Sequence, residues 1–503
     1  MDVHIPLVFG AAGFFKEQVS TNIFQADIFY AIATVTLFLL VVAVGLIDAG
    51  LVQRKNLLDV WIGKLAAAFI AGLGMFVIGY AIWQVSFYEA FEIPGPWGEA
   101  ISQWWAGGVN VVSLPQTLNP ELAPENDVFQ VFLVFFVAYA MAGGALLHSA
   151  GLERVKHLPM NIIAAVAGAI VMPILLYLTW GSVGPLDKIG VHDYLGTFSL
   201  YIFTGTWALI IAWRAGPRIG AFFAEKIDPS EPGTGLLAHK PHNLGLTATG
   251  VGLVLFCVPF LALGCGYVVP GAGYFGISMT NSGFGLVLEN VFMSFLGGAI
   301  TGFAISYLTK NPIMALLGPV AGYIGCSASF DIGRPLGILI VSMIAPLVVY
   351  GGYLLMQRWR IDDKKIVPLA LFGGVYAALA AGIVGAGKAT GGYFELESGD
   401  YAFQHAAITF GHQLLGVAVT LGISAVTGLV LVLALEKTIG LRVDRAKEIE
   451  GLDEAEWGSG PAHEFEDLPA FAPAALAAAE AASATAPEAP PAAGSPPPAP
   501  AAG

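Results

Sequence analysis

Charge is scarce in this chain: Asp, Glu, Lys and Arg make up 12% of its 503 residues, against 56% apolar, and the mean hydropathy is +0.74. A soluble domain carries about 25% charged residues, so a surface solvated all round is excluded and much of it must face lipid. Cations are scarcer than anions, with 22 Lys and Arg against 36 Asp and Glu, a net charge of -14 and a pI near 5.0. That balance, with no basic stripe, excludes a phosphate track and hence nucleic acid as a partner. Cysteine is nearly absent: Cys257, Cys265 and Cys326 lie in apolar surroundings without Cys-x-x-Cys spacing. Neither a disulfide scaffold nor a zinc site is supported. No motif for a nucleotide or for covalent catalysis stands in the sequence, so no cofactor, no metal and no enzymatic role are expected.

Long apolar runs are what the chain has instead. A helix needs about 20 largely uncharged residues to cross the hydrocarbon, because each backbone polar group there must be bonded internally. Such runs are Ile28 to Ile47, Leu65 to Tyr88, Val128 to Leu147, Leu158 to Trp180, Tyr194 to Trp213 and Leu246 to Tyr267. Asn281 to Leu308, Ile313 to Phe330, Pro335 to Leu355, Val367 to Val384 and Phe403 to Leu435 follow. The expectation is an all-α integral membrane protein of eleven spans, whose termini lie on opposite sides because the count is odd. With the N-terminus outside, the cytoplasmic loops hold fourteen Lys and Arg and the outer segments only Lys16, Lys188, Arg334 and Lys388. The positive-inside bias therefore predicts N-out and C-in in a cell membrane.

The ends read differently from the bundle. Residues 1–27 are poor in basic residues and are expected to form an extracytoplasmic segment packed on the bundle, with a cleaved signal ending near residue 20 as the alternative. The bundle is expected over 28–437, a cytoplasmic segment over 438–460, and a disordered tail rich in Pro and Ala over 461–503. The outer stretch between Tyr88 and Val128 carries Glu89, Glu92, Glu99, Glu121, Glu125 and Asp127 without one Lys or Arg. It is either a cation-concentrating vestibule or a solvated loop that follows the charge bias.

Five spans precede the connection from Ala215 to Leu244 and five follow it before the last. Halves with odd span numbers sit in opposite orientations, so two inverted five-helix repeats plus a last helix are expected, with a path at their interface. Asp193 stands eight residues before Tyr201 at the head of span five, and Asp363 stands eight before Leu371 at the head of span ten. Asp193 reads as an N-cap accepting orphan amides, with the organising of a bound cation as a second role. Glycine pairs such as Gly143-Gly144, Gly297-Gly298 and Gly373-Gly374 allow close helix approach, while Pro173, Pro259 and Pro312 are read as kinks or helix starts. Glu289 lies inside an apolar run, an expensive position for a carboxylate, and reads either as a solute-handling or as a packing group. His148, His405 and His412, near or within spans, are read as structural or boundary residues rather than a proton relay.

Several motifs resemble the ammonium transporter/Rh family. The strongest is cytoplasmic: Gly440-Leu-Arg-Val-Asp, then Glu448-Ile-Glu-Gly-Leu-Asp-Glu-Ala-Glu-Trp-Gly458. Others are Ala49-Gly-Leu-Val-Gln-Arg-Lys-Asn56, Leu152-Glu-Arg154, Asp193-Tyr-Leu-Gly196, Pro241-His-Asn-Leu-Gly-Leu-Thr247 and Asn311-Pro312. The resemblance runs from about residue 25 to 458. It implies an eleven-helix protomer in a homotrimer, one pore per subunit, outer aromatic and hydroxyl groups that select ammonium, and stacked phenylalanine gates. It also implies two facing pore histidines, on spans five and ten, and a cytoplasmic nitrogen-regulatory protein as a partner.

Carried over residue by residue, the resemblance makes Trp180 the outer tryptophan, Tyr139 the counterpart of one gate phenylalanine, Leu261 that of the other, and Cys265 that of the outer serine. Both histidines are replaced: the family's Asp-x-Ala-Gly-Gly-x-x-x-His becomes Asp193-Tyr-Leu-Gly-Thr-Phe-Ser-Leu-Tyr201, and Leu371 stands at the span-ten position. Tyr201 retains a hydroxyl whereas Leu371 offers no proton-transfer group. Three functions remain open: passage of ammonium or methylammonium, passage of a neutral small molecule or gas such as carbon dioxide, and a non-transporting sensor or regulatory scaffold. The apolar constriction favours the second, the retained cytoplasmic motif the third.

Overall fold

In hydrocarbon a helix satisfies its own amides and carbonyls, and the apolar runs of this chain fold accordingly. The computed structural model describes residues 21–90, 93–112, 127–180, 184–223, 225–226, 236–237, 239–268, 275–277, 283–390 and 406–459. Among these, 10 helices are long and apolar enough to cross a membrane. Spans one to five are Ile28–Leu51, Arg54–Glu89, Gln130–Ala150, His157–Thr179 and Thr197–Ala215. Spans six and seven are Leu244–Ala262 and Phe284–Thr309, and spans nine to eleven are Pro335–Trp359, Val367–Val384 and Phe410–Thr438. The shorter apolar helix Pro312–Gly325 stands in the place of span eight.

Span eight is shorter than its apolar run. The helix stops at Gly325, and residues 326–333 continue as buried turns rather than as helix to Phe330. Irregular backbone is tolerated at membrane depth only where protein satisfies it. Here Gly333 N–H donates to Ser329 O at 2.8 Å, Leu195 N–H donates to Ser327 O at 3.0 Å, and Asn290 Nδ2 reaches Phe330 O and Gly333 O at 2.7 and 2.9 Å. Short two-stranded hairpins, Glu225–Lys226 with Leu236–Leu237, Gly266–Val268 with Phe275–Ile277 and Ala389–Thr390 with Ala406–Ala407, lie in the connections. The outer stretch after span two is partly helical, over Pro96–Trp104 and Val109–Val112, and Trp104 is buried against Tyr80 with ring centroids 5.1 Å apart. Residues 1–20, the 461–503 tail, Glu92, Glu121, Glu125 and His405 lie outside the described residues.

The two halves repeat in opposed orientations, and their openings show it in detail. Span five begins with a six-residue π-helical turn, Thr197–Ile202, and span ten with another, Val367–Phe372. Each turn starts four residues after its aspartate, and each aspartate accepts the amide at that position: Thr197 N–H to Asp193 Oδ1 at 2.7 Å, Val367 N–H to Asp363 Oδ1 at 3.2 Å. Span one packs along span six, and spans five and ten cross near their openings. Glycine makes this crossing: a Cβ on Gly205 would sit 2.3 Å from Leu371 N, and one on Gly374 would sit 3.1 Å from Tyr201 Cβ. Pro259 is held inside span six, whereas Pro312 occupies the first turn of span eight, where its missing N–H costs nothing.

Candidate functional site

Span three brings Phe135, Phe136 and Tyr139 to the interface between the halves, span four and the residue after it bring Leu176 and Trp180, the head of span five brings Gly196, and the turn that follows the span-six helix at Gly264 brings Cys265. These seven line one cavity of about 10 Å³, room for about one water-sized solute. Trp180, Tyr139 and Cys265, which the sequence singles out, thus surround one small space. Phe135 and Phe136 were not singled out, because a phenylalanine in a span ordinarily packs or faces lipid. The ring of Phe136 meets Trp180 edge-on at 5.7 Å, and Trp83 backs both at 4.2 Å from Phe136 and 6.2 Å from Trp180. The Trp180 indole N–H donates to Tyr194 O at 3.0 Å, so the tryptophan offers the cavity a π face rather than a donor. A π face within about 6 Å attracts a cation. Tyr139 Oη pairs with Ser199 Oγ at 2.8 Å.

Asp193, three residues before Gly196 of the cavity lining, is fully buried at the head of span five. Its two oxygens accept the amides of Thr197 and Phe198 at 2.7 and 3.0 Å, so it caps a helix that opens at Thr197, three residues later than the apolar run suggests. Burial pushes its carboxyl up to about 6 despite those bonds. Beside it His192 Nε2 donates to Asp331 Oδ1 at 3.0 Å, a fully buried pair, while Gln413 of span eleven clasps the His192 backbone from both sides, at 2.8 and 2.9 Å. Sequence reasoning missed this pair. Its members are 139 positions apart, and the unwound end of span eight is what brings Asp331 inward.

Tyr201 and Leu371 lie where spans five and ten cross. Tyr201 is buried and meets the ring of Tyr323 edge-on at 6.4 Å; Leu371 is half-buried against Gly205. Leu261 is buried one turn before Cys265, outside the cavity lining. Glu289 stands apart from these residues: it is exposed on the outer face of span seven, and its neighbour Asn290 is the buried polar group. A step of 100° per residue turns the two side chains to different faces. His412 is half-buried near the start of span eleven, Nδ1 3.0 Å from Ala407 O, and His148 is buried near the end of span three. Of the acidic outer stretch, Glu89 accepts from Tyr177 Oη at 3.1 Å and Glu99 bonds Gln103. Among the described residues no group of three or more His, Cys, Asp or Glu is placed to hold a metal ion.

At the end of the bundle that carries the C-terminal segment, Arg218 bridges Glu153 at 2.7 Å and Asp362 at 2.7 Å, and His239 Nε2 donates to Glu153 at 2.6 Å. Burial alone would raise the Glu153 carboxyl, but the His239 hydrogen bond and the Arg218 charge hold it down to about 2. The C-terminal segment docks onto this cluster. Glu448 accepts Ile219 N–H at 2.7 Å and pairs with Arg442, and Asp453 accepts the amides of Leu58 and Asp59 at 3.0 and 2.8 Å.

A solute-sized cavity between two opposed halves of a membrane bundle is the arrangement of a channel or carrier, and this is a multi-pass membrane protein of that class. Residues 28–461 match the family model for the Ammonium Transporter Family. The chain belongs to that family. It is 29% identical over 329 residues to "Ammonium transporter Amt1" of Methanocaldococcus jannaschii, covering 63% of this chain and 74% of that protein. It is 24% identical over 442 residues to "Ammonium transporter Amt2" of Archaeoglobus fulgidus, covering 82% of each. Among solved structures, that of Candida albicans Mep2 superposes with a TM-score of 0.64 at 19% identity over 91% of this chain and 93% of that one. The "Sensor Amt Protein" superposes with a TM-score of 0.64 at 20% identity over 87% and 99%. At such identities the structures establish the fold alone.

Proposed function

We propose that the chain forms a homotrimer in the cell membrane, N-terminus outside and C-terminus cytoplasmic, and that each subunit passes ammonium or methylammonium without a paired-histidine relay. The observation that carries this reading is the cavity between the halves: a water-sized space lined by Trp180, Phe136 and Tyr139, with Asp193 buried at the helix opening three residues before its lining residue Gly196. A small cation is attracted by both the ring face and the carboxylate. At the crossing of spans five and ten, Tyr201 and Leu371 offer a stretch without a charged side chain, in which a charged solute is costly and a neutral base is not. The same stretch favours a neutral molecule such as carbon dioxide as the second reading.

The docked C-terminal segment supports a further role, response to a cytoplasmic nitrogen-regulatory protein, and a non-transporting regulatory scaffold would use the same surface. Proteoliposomes separate these readings. Uptake of ammonium and methylammonium that Trp180→Ala weakens supports the proposal, and Tyr201→His/Leu371→His then tests whether a restored pair alters the rate. Carbon dioxide flux without ammonium flux selects the second reading; no flux at all, with ligand-dependent recruitment of a cytoplasmic protein, refutes both.

A further inference from the structure

Away from the interface between the halves, a cavity of about 270 Å³ opens at the end of the bundle that carries the C-terminal segment. Pockets that hold small organic molecules run from about 300 to 1,000 Å³, so this space suits a molecule of a few carbons. Three parts of the chain wall it: span two through Asp59, the connection into span four through Val155, Lys156 and Leu158, and the C-terminal segment through Val443, Asp444 and Leu452.

The charged groups of the wall are unequally satisfied. Asp59 is 6% exposed, and its Oδ1 accepts both His157 Nε2 at 2.6 Å and Trp457 Nε1 at 3.0 Å. Its Oδ2 accepts no hydrogen bond among the described residues. A carboxylate oxygen has two acceptor sites, and one left unused on a buried side chain is costly unless something else fills it. Lys156 Nζ makes neither a hydrogen bond nor an ion pair among the described residues; it lies beside Gly440, where a Cβ would sit 3.3 Å from it. Asp444 opens the helix Arg445–Glu450 without a side-chain cap bond. The remaining charges are paired, Lys447 with Glu456 at 2.8 Å and His157 with Asp59.

The unpaired groups are thus of both signs, set against an apolar wall of Val155, Leu158, Val443 and Leu452. Asp59 and Asp444 repel a simple anion, and Lys156 repels a simple cation. No group of three His, Cys, Asp or Glu is placed to hold a metal among the described residues. A small molecule that carries both charges and an apolar substituent satisfies all three features at once.

We propose that this cavity binds a zwitterionic α-amino acid with an apolar side chain, its ammonium on Asp59 Oδ2 and Asp444 and its carboxylate on Lys156. Such a ligand touches span two, the connection into span four and the C-terminal segment together, so it stabilises the docked arrangement of that segment. Binding here is independent of what the chain transports.

Full-length protein, purified as its oligomer, is titrated calorimetrically with L-leucine and L-methionine. It is also titrated with 3-methylbutylamine and 4-methylpentanoate, which keep the leucine side chain and lack one charge each. Saturable binding of both amino acids is expected, with each analogue weaker by about tenfold. Lys156→Gln is expected to weaken leucine binding by about tenfold, and saturating leucine to slow cleavage of wild type near residues 445–457. Four outcomes overturn the proposal: no saturable binding of either amino acid, an analogue that binds as tightly as leucine, wild-type affinity in Lys156→Gln, or no protection at saturating leucine. If Lys156→Gln does not purify as the wild-type oligomer, Asp444→Asn at the exposed helix start takes its place. A loss of about threefold is then expected, and unchanged affinity overturns the proposal.

Discussion

Trp180 has its polar edge and its apolar face assigned to different tasks. The N–H is held by Tyr194 O, which fixes the ring and leaves the face to the cavity. Cation–π attraction contributes about 0.5–2 kcal/mol depending on desolvation, so Trp180→Ala is expected to raise the half-saturation concentration for methylammonium by roughly 2- to 30-fold, measured by isotope uptake; Trp180→Phe retains part of it. Asp193 adds a pH dependence. With its carboxyl pushed up to about 6 by burial, it is charged above that pH and neutral below. Affinity for methylammonium should therefore fall as the outer pH drops from about 7 to 5, a range in which the solute itself stays cationic. Asp193→Asn should flatten that profile in the same assay. At this scale sequence offsets found Trp180, Tyr139 and Cys265, whereas Phe135 and Phe136 carry no local mark that separates them from lipid-facing phenylalanines.

Among elements, the paired openings of spans five and ten carry the geometry of their crossing. Each begins with a π-helical turn capped by an aspartate, and a π turn re-aims the side chains that follow it. The crossing allows no side chain at Gly205, where a Cβ would meet Leu371 backbone at 2.3 Å. Gly205→Val is expected to cost about 1–3 kcal/mol through overpacking and to lower the melting temperature of the purified oligomer, whereas Gly252→Ala, with nothing within 4 Å of its added Cβ, should leave it unchanged. Hydropathy located span eight but not its early end at Gly325. The run stays apolar to Phe330, and only the hydrogen bonds donated by Asn290 and Leu195 show why the backbone can leave the helix there.

Across the whole molecule, the face that carries the C-terminal segment is held by charge. Arg218 joins the loop after span three, through Glu153, to the opening of span ten, through Asp362, and Glu448 of the C-terminal segment caps the neighbouring amide of Ile219. Arg218→Ala leaves two buried carboxylates without their shared partner, a loss of about 3–5 kcal/mol. A lower melting temperature and faster cleavage near residues 445–457 in limited proteolysis are the expected outcomes. Acid acts in the same direction. Glu153, held down to about 2, contributes stability that is present above its ordinary carboxylate range and is lost as pH falls toward that value.

The membrane class, the number of spans and the opposed halves follow from the sequence by itself, because hydrocarbon forces the backbone into apolar helices and an odd span count reverses the second half. The aspartates at the two openings were legible for the same reason: a cap is local, and its amides lie within five residues. What only the tertiary structure decided is which polar groups meet. Nothing local distinguishes Glu289, exposed on span seven, from Asp48, fully buried on span one. The partners of buried charges, His192 with Asp331 and Asp48 with Lys365, lie 139 and 317 positions apart. A buried charge is tolerated only beside its partner, and it is the packing of one half against the other that supplies it.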